Sequence, residues 1–102
     1  MTLKDFINQL HTVVDKSIPF KDDITRCQVT DVVIGDKYVI LIMQKRNPQY
    51  FHVDSLVRKL LTLDENKTMF IAYTRICFKI CHLDIRTDKV IICSSLVPDL
   101  FI

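Results

Sequence analysis

Apolar positions along the chain fall first at helical spacing and then at strand spacing. Leu3, Phe6, Ile7, Leu10, Val13 and Val14 recur in steps of three and four, which predicts an amphipathic helix over Thr2–Lys16. Thr2 stands at the N-cap position, with Asp5 three residues on. Ser17-Ile18-Pro19 ends that helix, and Phe20–Asp23 reads as a connecting loop. From Ile24 to Ile34 the period shortens: Cys27, Val29 and Val33 alternate with Gln28, Thr30 and Val32, the pattern of a strand with one buried and one wetter face. Gly35-Asp36 reads as a two-residue hairpin turn. The return strand, Lys37–Gln44, is apolar on both faces, with Tyr38, Ile40 and Ile42 on one and Val39, Leu41 and Met43 on the other. Such a strand lies centrally or is covered on both sides.

Asn47 as a cap and Pro48 at the first helical position predict a second helix running to about Leu63, with Val53, Leu56, Val57, Leu60 and Leu61 as its apolar stripe. The stretch Thr68–Leu96 is the most apolar and holds neither Gly nor Pro. As a single strand, Thr68–Ile85 would span about 60 Å. Two strands joined near Thr74-Arg75 fit a small domain better. A helix placing Arg75, Lys79 and His82 on one face competes, but the density of Ile, Phe, Tyr, Thr and Cys favours strands. Arg86-Thr87-Asp88 is a turn, and Lys89–Ser95 is the last strand.

These elements predict one α+β domain over residues 1–102, with a mainly antiparallel sheet of about five strands and two amphipathic helices in the order α-β-β-α-β-β-β. That order and length loosely resemble the roadblock and longin-like scaffold modules, which pair sheets or helices in non-catalytic assemblies. The resemblance carries no sequence motif, and the final helix it would imply is missing.

An apolar fraction of 49% excludes disorder and sits at the top of the globular range, so the surplus is expected at a partner surface. The net charge of +2, with its cations dispersed, lacks the basic footprint of a duplex-DNA binder. Nothing approaches the roughly 20 apolar residues of a membrane span. The opening MTLKDFINQL is unlike a signal peptide. The expected location is therefore cytosol or nucleus, with Cys27, Cys77, Cys81 and Cys93 reduced. Gly35 is the single glycine, whereas phosphate-cradling loops need several, and no cofactor is expected.

Three constellations carry candidate chemistry. Cys77, Cys81, His82 and Cys93 form a conceivable zinc set, but thiols among Ile, Val and Phe favour packing inside a β core. His82 and Asp84 with Ser94 or Ser95 lack the glycine-flanked turn that a nucleophilic serine needs, so no enzyme is expected. His11 and His52 read as surface or half-buried positions. Lys45–His52 interleaves cations with aromatics, which gives an alternative as a single-stranded nucleic-acid binder through Lys45, Arg46, Tyr50, Arg58 and Lys59. The leading expectation is a protein–protein module, as homodimer or heterodimer. Its contacts would be Tyr38, Ile40, Ile42, Arg75 and Lys79, with the apolar tail Leu100, Phe101 and Ile102.

Overall fold

A computed structural model describes residues 1–101 of the chain, with side chains through Asp99. The elements are α1 (Leu3–Gln9), β1 (Phe20–Asp22), β2 (Gln28–Ile34), β3 (Tyr38–Gln44), α2 (Val53–Leu60), β4 (Thr68–Tyr73), β5 (Ile76–Ile85), β6 (Val90–Ser94) and β7 (Leu100–Phe101). The α+β class is as expected. The sheet is not: six strands run in the order β1-β6-β5-β4-β3-β2, with β7 added on β5, and the pairing is mixed.

The parallel pairs explain the difference. β3 and β4 are joined by a crossover through α2, and a crossover connection of that length makes neighbouring strands parallel. β1 pairs in parallel with β6, Phe20 opposite Val90. Every other pairing is antiparallel. β5 is the spine: Ile76–Tyr73 to Lys79–Phe70 are its register pairs with β4, while Ile80–Ile85 pairs with β6. The sheet curls until the end of β1 meets the start of β2, where the Asp22 amide donates to the Cys27 carbonyl at 3.1 Å.

Both helices pack on one face. Leu3 and Phe6 of α1 and Val53, Leu56, Val57 and Leu60 of α2 are buried against Val39, Leu41, Met69, Ile71, Ile80 and Ile92 of the strands. Removing a large side chain there costs about 3–5 kcal/mol for an aromatic. Phe6 stacks on Phe20 with centroids 5.9 Å apart, which ties β1 to α1.

Local boundaries follow hydrogen bonding rather than periodicity. Thr2 caps α1 as expected, accepting from the Asp5 amide at 3.2 Å. Regular helix stops at Gln9, and the rest of the stripe continues in tightened turns, with Val13 donating to Leu10 and Lys16 to Val13. Asn47 does not begin α2. Its carboxamide oxygen accepts from the Gln49 amide, and the helix instead starts after His52, whose amide donates to Ser55 Oγ at 3.0 Å. Leu61 falls beyond the helix and is exposed. The segment Ile24–Cys27 is a loop and not strand, whereas Phe20–Asp22 is strand and not loop. The hairpin turns on Asp36-Lys37, one residue later than predicted, because Gly35 donates to the Tyr38 carbonyl at 2.9 Å. Thr74 supplies the turn between β4 and β5 in the left-handed region at φ 58°. No helix is long and apolar enough to cross a membrane among the described residues.

Candidate interaction face

The face opposite the helices has its own apolar cluster. Ile40 of β3, Phe70 and Ala72 of β4 and Cys77 of β5 are buried there, with Tyr38 and Ile42 half-buried against them. Register makes this one surface: Tyr38 lies beside Thr68, Ile40 beside Phe70, Ile42 beside Ala72, and Ala72 beside Cys77. Val33 of β2, opposite Ile40, is 40% exposed. No residue of α1 or α2 belongs to this cluster.

The expected contacts divide. Tyr38 and Ile42 reach solvent, but Ile40 is fully covered by its neighbours and supports the face without presenting itself. Lys79 is exposed beside Phe70 and pairs with Asp99, Nζ to Oδ2, at 3.5 Å. Arg75 sits in the exposed turn before β5. The tail runs back along the sheet: Asp99 donates its amide to the Cys77 carbonyl at 2.8 Å, and Leu100 and Phe101 pair by backbone with Cys77 and Ile76. Ile102 lies outside the described residues.

Gly35 is required by close approach. A Cβ there would lie 2.3 Å from the Tyr38 ring, so the ring closes over the glycine at the corner of the face. Lys67 Nζ braces the same corner, donating to the carbonyls of Gly35 at 2.6 Å and Asp36 at 2.7 Å. This support comes from a residue in the α2–β4 connection, and no local sequence signal marks it.

The catalytic and metal alternatives do not assemble. A bulge at Cys81 shifts the β5–β6 register, so His82 faces Cys93, while Ser94 pairs with the buried Ile80. Ser95 Oγ is spent on the amide and carbonyl of Val97. Asp84 is committed to Arg86 at 2.8 Å, and the hydrogen bond from Arg86 holds its carboxyl below the usual range. Burial, then Asp23 and Asp84, push the Cys93 thiol up, the opposite of an activated nucleophile. No group of three or more ligating side chains could hold a metal among the described residues. The four cysteines are free, yet only Cys27 and Cys77 are buried. Cys81 is exposed, following Cys77 and Lys79 on the face away from the helices, and Cys93 is intermediate.

The nucleic-acid set is split. Lys45 and Arg46 follow the end of β3, while Arg58 and Lys59 are in the last turn of α2, which runs back toward the start of β4. Tyr50 is half-buried, its ring 4.9 Å from that of His52.

No protein-family model matches the chain, and neither does any curated protein or solved structure, so the likeness in element order to roadblock and longin-like modules has no counterpart in these comparisons.

Proposed function

We propose that this protein is a non-enzymatic interaction module, a small adaptor, scaffold or viral accessory subunit that binds a protein partner through the face of Tyr38, Ile42 and Val33. One observation carries the reading: both helices cover the inner face, while the outer face holds a second apolar cluster with no helix over it. Exposed Arg75 at its margin, with Lys79 already paired to Asp99, favours a partner with an apolar centre and an acidic group at the rim. The partner is a second copy or a different chain. The free thiols suit a reducing compartment, cytosol or nucleus.

Sedimentation velocity over a wide concentration range tests self-association, and affinity purification with an Ile42→Glu control tests a different partner. The reading expects either a mass that rises with concentration or a retained protein, lost in the Ile42→Glu variant. A strictly monomeric chain with no Ile42-dependent partner overturns it.

A further inference from the structure

Three loops meet at one end of the sheet, and each carries a non-glycine residue in the left-handed region or stands next to one. They are the β1–β2 loop with Arg26 at φ 59°, the loop after β3 with Arg46 at φ 56°, and the β4–β5 turn with Thr74 at φ 58°. L residues rarely adopt this conformation, and none of the three is the Asn, Asp or Gly that tolerates it best. These are the described non-glycine residues with positive φ, and they gather where the parallel strands β3 and β4 end.

Between these loops lies an open concavity of about 720 Å³. Gln44, Lys45, Arg46, Asn47, Tyr73 and Thr74 line it, and no carboxylate is among its lining residues. Lys45 and Arg46 are exposed, and neither is in an ion pair among the described residues. The loop that carries them is knitted: Gln44 Oε1 accepts from Thr30 Oγ1 at 2.9 Å and from Asn47 Nδ2 at 3.2 Å, and Asn47 Oδ1 accepts from the Gln49 amide. Asp22 is buried and spends its carboxylate on the Thr25 hydroxyl and the amides of Ile24, Thr25, Arg26 and Cys27. The charge reaching the concavity is therefore positive, and the loop backbone that carries Lys45 and Arg46 is braced by Gln44 and Asn47 on either side.

A second concavity, between β1 and β5, shows why this one is singled out. Three carboxylates, Asp22, Asp23 and Asp84, lie among its four cations, and Arg86 is already paired with Asp84 at 2.8 Å.

We infer that the concavity at the ends of β3 and β4 binds phosphate groups through Lys45 and Arg46. An arginine fork with a neighbouring ammonium matches phosphate oxygens. The site is open and has no exposed aromatic among its lining residues. It therefore reads phosphate and not base, and binding to a nucleic acid would be independent of sequence. Arg58 and Lys59, at the far end of α2, play no part.

The test uses the full chain with two probes, inorganic pyrophosphate by calorimetry and a labelled oligothymidylate of about 20 nucleotides by fluorescence anisotropy, each at about 50 and about 200 mM salt. Binding of pyrophosphate assigns the site to small phosphates, and binding of the oligonucleotide alone assigns it to a polymer backbone. Either result supports the inference, provided the Lys45→Gln/Arg46→Gln variant weakens binding at least tenfold and Arg58→Gln/Lys59→Gln leaves it unchanged. For the oligonucleotide, losing two phosphate contacts should flatten the log–log salt dependence by about 1.4. Lys45→Gln alone gives a smaller loss, readable even if the double variant folds poorly. No binding of either probe at low salt, or equal losses from the two double variants, overturns it. Because Tyr38 stands at the start of β3 and Lys45 follows its end, Tyr38→Glu tests the partner face without placing a charge beside this site, and the two readings fail separately.

Discussion

Asp22 and Cys27 hold each other twice: the Asp22 amide donates to the Cys27 carbonyl at 3.1 Å, and the Cys27 amide donates to Asp22 Oδ2 at 3.0 Å. The same carboxylate accepts from the amides of Ile24, Thr25 and Arg26 and from the Thr25 hydroxyl. One side chain, 1% exposed, thus fixes the whole turn that joins β1 to β2. Asp22→Ala leaves the buried Cys27 amide and three part-buried amides without their acceptor and is expected to cost about 3 kcal/mol. Urea denaturation checks the cost, and thermal melting should show a Tm lower by more than about 12 °C.

Asp22 and Tyr73 make stability depend on pH at opposite ends of the scale. Burial raises the Asp22 pKa, but hydrogen bonds from Thr25, Tyr73 and Ile24 outweigh it and leave the pKa below its ordinary 3.8. Its stabilisation is therefore complete above that value and disappears as pH falls through the lower folded value. Tyr73 moves the other way, raised above its ordinary 10.0 by burial and by Asp22. Its contribution is complete below pH 10.0 and is lost as pH rises beyond it. Denaturation followed from acid to alkali should show the acid limb flattened in Asp22→Asn. Tyr73→Phe should remove a phenol that ionises late in the ultraviolet titration.

Gly35 and Tyr38 form a coupled pair. Gly35→Ala drives the Tyr38 ring off its seat, at a cost of about 1–3 kcal/mol. In a Tyr38→Ala background that cost should vanish, a coupling that a double-mutant cycle measures directly. Equal costs in both backgrounds would place the constraint in the backbone and not in the ring.

Asp31 guards an open edge. β2 ends the strand order, Val33 and Ile34 are 40% and 45% exposed, and Asp31 Oδ1 accepts from the Val32 amide at 2.8 Å. Charges on edge strands discourage pairing with other chains. Asp31→Val should raise light scattering on warming, with Asp31→Asn between it and the parent.

What could be read from the chain was what local pattern controls. The apolar run of Lys37–Gln44 after a hairpin turn, and the length that forces a break near Thr74-Arg75, located β3, β4 and β5, and Tyr38 and Ile42 do share a face. β1 could not be read because three residues carry no period, and its partner β6 lies at the other end of the chain. The start of α2 was misplaced because Asn47 is a good cap by type, yet the Phe51 amide is drawn to the Val29 carbonyl at 2.8 Å. The parallel pairing of β3 and β4 was implicit in the order strand, helix, strand. The full burial of Ile40 depends on neighbours from separate strands, which periodicity does not specify.

β5 gives the molecule its cooperativity. It is the strand through which the β2–β3–β4 half and the β1–β6 half are joined in the hydrogen-bonded order, so neither half keeps a complete ladder once it leaves. Partial melting that spares one half would have to strand an apolar edge in water. Unfolding is therefore expected as a single cooperative transition. During synthesis β5 stays incomplete on one side until β6 has emerged, and that interval is when the chain is most open to capture by other strands.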